Sequence, residues 1–277
     1  MNSILAAFDF SDASVNALNY AVRMADYFGS RLVLLHAWHQ PVNAYETAYL
    51  DQAFFQIRDE VDEMLNAKKK EIQINYPLLE IEVISKSGLA FDCIETTIKE
   101  KDIDLTIVGI TGSGGFIKKK IIGSTAIKVA RKLNCPSIIV PENYIYKSIK
   151  RIAYACDYEQ DPSASSLMIQ VKLYASLFHA EVKVVNVTSD LLILKDTTAL
   201  SKAKLFVDQK LSPIDHSTVT IKDSSVVEGL SNYLNDEQVD LLILQPLRHG
   251  FFHRFFREEV TPELAFNTPV PLLILHD

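Results

Sequence analysis

The chain alternates short apolar runs with longer segments in which apolar residues recur every three or four positions. The first run, at residues 4–8, ends at Asp9, and residues 11–28 then carry apolar side chains at helical spacing. Short apolar runs indicate buried strands, and the longer period indicates helices that pack on them. Strands that alternate with helices of this length predict a parallel sheet.

The same order of patterns occurs twice. Residues 4–9 (ILAAFD) recur 148 positions later as residues 152–157 (IAYACD). Three further strand candidates recur in the same order, at residues 32–36 and 182–186, 103–108 and 239–244, and 136–140 and 271–275. Each half has a fifth candidate, residues 79–85 and 216–221, after a long helical segment at residues 45–74 and 191–211. Such repetition indicates a duplicated structural unit.

These patterns predict an α/β fold made of two tandem, doubly wound, parallel five-stranded sheet domains. We place the domains at residues 1–145 and 149–277, with a polar linker within residues 142–150. A length of 277 residues suits two domains. Because the linker is short, we expect the two halves to pack together.

Composition narrows the classes of partner. The net charge of -7 argues against nucleic acid and anionic membranes. No apolar run approaches the ~20 residues of a membrane-spanning helix, and the first residues do not resemble a signal peptide. Three scattered cysteines, Cys93, Cys135 and Cys156, suggest neither disulfides nor a zinc site. We therefore expect a cytoplasmic protein with no nucleic-acid or membrane partner.

Glycines cluster after the strand that ends at Val108. Residues 109–115 read GITGSGG and residues 123–125 read GST. Glycines let backbone amides approach an anion, and a helix opened by Ser124 or Thr125 presents free amides to phosphate. In a parallel sheet this loop follows the carboxyl end of its strand, where such folds bind ligands. A flexible turn followed by an ordinary helix cap would equally account for these glycines. Neither the Walker motif nor the dinucleotide-binding motif is present in this segment.

Taken together, these motifs resemble those of the universal stress protein family. The resemblance covers nearly the whole first half, through residues 4–11 (ILAAFDFS), 34–36 (LLH), 88–90 (GLA), 104–109 (DLTIVG), the glycine loop and 135–141 (CPSIIVP). It implies an adenine nucleotide α-hydrolase-like fold and a role in stress response. The ATP-binding branch of the family has Gly-x-x-Gly, nine residues, then Gly-Ser/Thr. Here ten residues separate Gly112 from Gly123.

The resemblance also implies roles for individual residues and a cofactor, ATP, with or without Mg²⁺. Asp9, with Ala7 beside it, would contact the adenine or the metal–phosphate region, and Ala37 would face the base through its backbone. Gly109 and Thr111 would lie near the ribose. The phosphates would be held by Gly112, Gly123, Ser124 and Thr125. The family often has proline where Ala7 stands. We assign no catalytic residue and no protein ligand for a metal.

The second half lacks the glycine loop. Its equivalent strand runs into residues 245–248 (QPLR), and the position of Gly123-Ser124 falls near Val260-Thr261. Pro246 removes an amide donor and fixes φ, so a phosphate cradle cannot be rebuilt there. We therefore expect the second domain to be degenerate, without ATP binding.

Other candidate residues have simpler interpretations. Residues 118–120 (KKK) could reach a γ-phosphate, but a lysine run is usually a solvated helix face. His249 and His253, four residues apart among four phenylalanines, lack further metal ligands, so we interpret residues 249–257 as packing. His36, at a strand end, is interpreted as a buried histidine with a hydrogen-bond partner rather than as a base.

Three functional hypotheses follow. The favoured one is a stress-response protein that binds ATP or a related adenine nucleotide in its first domain, with a regulatory rather than catalytic outcome. The alternatives are a weak ATP hydrolase and a nucleotide-free interaction scaffold. The resemblance also implies that the last strands of the two halves, residues 137–140 and 272–275, pair as an intramolecular pseudo-dimer. A further homodimer is compatible with it.

Overall fold

The computed structural model describes residues 1–38, 47–111, 124–155, 165–188, 197–244 and 268–276. The chain divides into two compact units. The first comprises Met1–Ile110 with Gly123–Asn143, and the second comprises Thr111–Ile122 with Tyr144–Asp277. Asn143 lies within the predicted linker.

Strands and helices alternate along the first unit. Its strands are β1 (Ser3–Ala7), β2 (Arg31–Trp38), β3 (Ile81–Ser87), β4 (Leu105–Ile110) and β5 (Ser137–Pro141). Its helices are α1 (Asp12–Phe28), α2 (Thr47–Asn75), α3 (Ala90–Lys101) and α4 (Ser124–Lys132). All neighbouring strands are parallel, in the order β3-β2-β1-β4-β5. The strand order reverses between β1 and β4, and a ligand site is expected outside the carboxyl ends at such a switch point.

The second unit repeats this plan. Its strands are β6 (Arg151–Ala155), β7 (Glu181–Thr188), β8 (His216–Lys222), β9 (Leu241–Leu244) and β10 (Leu272–Ile274). Its helices are α5 (Ser165–Phe178), α6 (Thr197–Leu211) and α7 (Val226–Asp236). The strands are parallel in the order β8-β7-β6-β9-β10, equivalent to that of the first unit. The predicted α/β fold with parallel sheets is therefore confirmed.

The strands form the centre of each core. Ile4, Leu5 and Leu34 in the first unit are completely buried, as are Leu241 and Ile243 in the second. A parallel strand covered on both faces needs apolar side chains at consecutive positions rather than at alternate ones. This requirement explains why central strands such as β1 and β9 appear in the sequence as continuous apolar runs.

A repeated aspartate fixes the start of the central strand in each unit. In the first unit, Asp104 Oδ2 accepts hydrogen bonds from the amides of Asn2 (2.5 Å) and Ser3 (3.2 Å). In the second, Asp240 Oδ2 accepts from the amides of Lys150 (2.9 Å) and Arg151 (3.0 Å). The two carboxylates therefore bind the backbone amides at the start of equivalent strands.

Within the described residues, no helix is both long enough and apolar enough to cross a bilayer.

Candidate functional site

A recess opens at the carboxyl ends of the central strands of the first unit. Its floor is formed by the ends of β1, β2 and β4, through Ala7, Leu35, Ala37, Val108 and Gly109. The empty space inside it, including the open solvent at its mouth, is about 510 Å³. The recess thus lies where the strand order predicts a ligand.

The turn between β1 and α1 forms one wall and carries Asp9. Asp9 Oδ1 accepts hydrogen bonds from the Ser11 amide (3.0 Å) and the Ser11 hydroxyl (2.5 Å). The Asp9 amide donates to Ser14 Oγ (3.3 Å), and Ser11 caps α1 by accepting from the Ser14 amide. All three side chains line the recess. The local Asp-x-Ser-x-x-Ser sequence therefore builds a polar wall whose residues hydrogen-bond to one another.

The Asp9 carboxyl is ionised at neutral pH. Burial acts to raise its pKa, but hydrogen bonds from Ser11 and Ser14, together with the electrostatic interaction with His36, outweigh that effect. The pKa of Asp9 is consequently lowered from its usual 3.8. Neighbouring atoms surround the carboxyl only in part and the Asp9 side chain still reaches solvent, so its carboxylate is available to hydroxyl or amino donors, or to a cation, in the recess.

His36 and Phe10 stabilise this turn from outside the recess. Phe10 has φ of +66°, a left-handed conformation that bulky residues rarely adopt. The Phe10 ring packs against the rings of Phe8 and His36, with centroids 4.6 and 5.2 Å away. His36 Nδ1 lies 2.7 Å from the Phe8 carbonyl oxygen. As predicted, His36 is a histidine with a hydrogen-bond partner, although it is half-buried rather than fully buried.

Helix starts complete the recess. Ala90 and Ile94 of α3, and Thr125 and Ala126 of α4, line it. The residue before α3, Leu89, offers no side chain to cap the helix. The first amides of α3 are thus not bonded by an N-cap side chain, and helix starts favour negative charge.

Five of the nine residues assigned by resemblance line this one recess: Ala7, Asp9, Ala37, Gly109 and Thr125. Thr111 follows directly after β4, and Ser124 is the exposed first residue of α4. Gly112 and Gly123 lie outside the described residues. The roles assigned to all nine remain predictions.

Gly109 has a packing role that the sequence did not reveal. A Cβ atom on Gly109 would lie 2.2 Å from the Ala13 carbonyl oxygen and 3.0 Å from the Ser14 amide nitrogen. The first turn of α1 therefore packs directly on the backbone of β4, which only glycine permits. Leu35, Ser14, Ala90 and Ile94 also line the recess, a role that was not predicted for them. Short-range patterns give no signal for them, because three separate elements bring them together.

Several sequence candidates lie outside the described residues. They are residues 118–120, 245–248, 249–257 and 260–261, together with Cys156. The other two cysteines, Cys93 and Cys135, are buried. Burial raises the pKa of both thiols, to about 11 for Cys135. Among the described residues, no group of three or more His, Cys, Asp or Glu side chains could hold a metal ion.

A parallel unit of strand order 3-2-1-4-5, with a recess outside its switch point, is a doubly wound α/β unit, the class to which the adenine nucleotide α-hydrolase-like fold belongs. The family model "Universal stress protein family" matches residues 1–141. This chain belongs to the universal stress protein family. It is 32% identical over 149 residues to the universal stress protein YxiE of Bacillus subtilis (strain 168), an alignment that covers 50% of this chain and 98% of that protein.

Solved structures that align with both units have the same fold. A universal stress protein from Archaeoglobus fulgidus DSM 4304 covers 99% of this chain and 98% of its own, with a TM-score of 0.72 and 14% identity. A putative universal stress protein from Pseudomonas aeruginosa UCBPP-PA14 covers 100% and 93%, with a TM-score of 0.61 and 14% identity. At this identity the likeness establishes the fold alone.

Proposed function

We propose that the first unit binds ATP, or a related adenine nucleotide, in the recess at the ends of β1, β2 and β4. Binding would regulate conformation or partner choice in a stress response rather than drive turnover of a substrate. The observation that carries the proposal is the convergence of Ala7, Asp9, Ala37, Gly109 and Thr125, assigned from sequence motifs, in one recess.

The chemistry of the recess suits a nucleoside. Leu35, Ala37, Val108 and Ile94 give it an apolar surface, against which a purine can be buried. Asp9, Ser11 and Thr125 give it polar groups that can fix the orientation of a ribose and its substituents. Ligand sites typically combine a large apolar lining with a few polar groups in this way.

Asp9 has two roles available in such a complex. Its carboxylate could accept hydrogen bonds from hydroxyl or amino groups of the nucleoside. It could instead hold Mg²⁺, which proteins commonly bind through one or two carboxylates together with the phosphates of the nucleotide. The phosphates themselves would be held by the glycine loop and by Ser124 and Thr125 at the start of α4, where helix amides favour anions.

We propose that the second unit does not bind ATP. Its sequence lacks both parts of the glycine motif and carries Pro246 in the equivalent position. The helix that corresponds to α3 also begins differently: Ser225 caps α7 by accepting a hydrogen bond from the Glu228 amide (3.3 Å), whereas Leu89 cannot cap α3. One nucleotide per chain is therefore the proposed stoichiometry.

The expected assembly and location remain proposals based on the family resemblance. Pairing of the last strands of the two halves would give an intramolecular pseudo-dimer, and two chains could associate further. Light scattering coupled to size exclusion, with and without ATP, distinguishes a monomeric chain from a homodimer. Fractionation of the host cell tests the expected cytoplasmic location.

Titration calorimetry with ATP and Mg²⁺ tests the proposed function. We expect one site per chain, and we expect Asp9→Asn to weaken binding about tenfold, equivalent to about 1.4 kcal/mol. Asp223→Asn, which changes a carboxylate that accepts from the Ser225 amide in the second unit, is the control and should leave binding intact. No binding at millimolar ATP would overturn the proposal and favour the scaffold hypothesis. ATP turnover well above background that Asp9→Ala abolishes would favour the hydrolase.

A further inference from the structure

His36 contacts the turn that carries Asp9 but does not itself line the recess. The residues on either side of it, Leu35 and Ala37, do line the recess. Successive side chains of a strand point to opposite faces of the sheet. His36 therefore projects away from the recess face while its ring reaches the β1–α1 turn.

The hydrogen bond of His36 fixes the position of the Phe8 backbone. A carbonyl oxygen can only accept, so the 2.7 Å contact requires the proton on Nδ1 of His36. Phe8 is the residue directly before Asp9. The Phe8 amide donates to the Leu35 carbonyl (2.8 Å), so both sides of the Phe8 backbone are tied to β2.

Phe10, on the other side of Asp9, is held in a conformation that costs energy. A non-glycine residue with φ of +66° persists only when its surroundings determine the conformation. Among the described residues, the Phe10 ring contacts the rings of Phe8 and His36. His36 thus contacts both neighbours of Asp9, one through a hydrogen bond and the other through its ring.

We infer that His36 is a positioning residue for nucleotide binding, which holds the Phe8–Phe10 turn so that the Asp9 carboxylate faces the recess. This inference rests on the proposed function of that recess. Loss of the Nδ1 donor frees the Phe8 carbonyl, releases the strained turn and lets Asp9 leave its place. The effect of His36 on nucleotide affinity is then transmitted through Asp9 and not through contact with the ligand.

The duplicated half indicates a conservative substitute. Position 36 in β2 corresponds to Asn186 in β7, because the two strands pair with β1 and β6 in the same register. Asn186 is 6% exposed. An asparagine amide is a donor close in position to Nδ1 of histidine, whereas leucine has similar bulk and no donor. His36→Asn and His36→Leu are therefore a matched pair.

A double-mutant cycle with ATP affinity as the readout tests the inference. We expect His36→Leu to weaken binding about tenfold, as loss of a well-placed ligand contact does, and His36→Asn to keep affinity within about threefold. In an Asp9→Asn background, His36→Leu should change affinity by less than about twofold, because residues that act through one another are not additive. Thermal unfolding of each variant, followed by circular dichroism, verifies that it is folded.

The outcomes separate the inference from the proposed function. If the unsubstituted protein binds no ATP, the proposed function fails. If it binds ATP and His36→Leu binds equally well, or if the effect of His36→Leu is undiminished in the Asp9→Asn background, the positioning role is overturned.

Should His36→Leu not fold, Phe10→Gly provides the second variant. Glycine adopts the left-handed conformation without strain, so His36→Leu combined with Phe10→Gly should fold and recover part of the affinity. If the variant that combines His36→Leu with Phe10→Gly folds and binds ATP as tightly as the unsubstituted protein does, the inference is also overturned.

Discussion

Gly109 and Ala13 approach so closely that a methyl group at residue 109 would lie 2.2 Å from the Ala13 carbonyl oxygen. The contact joins the end of β4 to the first turn of α1, the helix that follows Asp9 and Ser11. A glycine that the motif assigns to the nucleotide therefore also sets how closely the polar wall of the recess can pack on the sheet.

Gly109→Ala should destabilise the first unit by about 1–3 kcal/mol, because backbone atoms of α1 must move to accommodate the methyl group. Gly29→Ala is the control: its φ is +63°, but no atom lies within 4 Å of the added Cβ. We expect Gly29→Ala to cost about 1 kcal/mol, the usual penalty of a left-handed conformation. Equal denaturation midpoints for Gly109→Ala and the unsubstituted protein would refute the steric argument.

The paired aspartates give a comparison within one chain. Asp240 is 9% exposed, whereas Asp104 is exposed. Each carboxylate accepts hydrogen bonds from two backbone amides. When the buried acceptor is lost, its amides cannot hydrogen-bond to water instead. We expect Asp240→Ala to destabilise its unit by about 1.5–3 kcal/mol and Asp104→Ala by less than about 1 kcal/mol. Calorimetric unfolding of both variants measures the difference, and a larger loss for Asp104→Ala would contradict this ranking.

Asp9 should make the first unit sensitive to acid. Its pKa is lowered from 3.8 in the folded protein, so below about pH 4 the unfolded chain binds the proton more readily. The stability that ionised Asp9 contributes is present above that pH and is lost as the pH falls through the folded pKa. Asp9→Asn should therefore lose less stability between pH 5 and pH 3 than the unsubstituted protein does.

Urea denaturation midpoints at these two pH values measure the effect. Asp12→Asn, which removes an exposed carboxylate from the first turn of α1, controls for the loss of one surface charge. If Asp9→Asn and Asp12→Asn flatten the pH dependence equally, the hydrogen bonds from Ser11 and Ser14 are not the cause.

The buried thiols should be inert in the folded protein. Burial raises the pKa of Cys135 to about 11, so at pH 8 only about one thiol in a thousand is ionised. Cys93 is also buried and has a raised pKa. In a Cys156→Ser variant, we expect an aromatic disulfide reagent to label neither thiol at the rate of a free cysteine until denaturant is added. Rapid labelling of the native variant would show that these thiols are accessible.

Much of the fold could be predicted from the sequence, because parallel strands must be apolar at consecutive positions and the pattern occurs twice. The predicted helix at residues 11–28 agrees with α1, which begins after the Ser11 cap and ends before a left-handed Gly29. Strand boundaries were less well predicted. The strand predicted at residues 103–108 is shifted by two residues from β4. Ile103 and Asp104 lie before the strand begins, and the strand continues through Gly109 and Ile110.

Residues of the site could be predicted only where they belong to a family motif. Asp9, Ala37 and Thr125 follow from the family resemblance, but the left-handed conformation of Phe10 has no sequence signal, since the residue is not glycine. The contact of His36 with Phe8, 28 residues away, depends on the pairing of β1 with β2. Likewise, Ala90 and Ile94 reach the recess only because β3 lies beside β2.

Amide hydrogen exchange with and without ATP and Mg²⁺ tests most directly whether the first half alone contains the nucleotide site. We predict slower exchange in peptides that cover the β1–α1 turn, the end of β2 and the start of α4, and unchanged exchange throughout residues 151–276. Protection confined to the second half, or no protection at saturating nucleotide, would contradict this assignment.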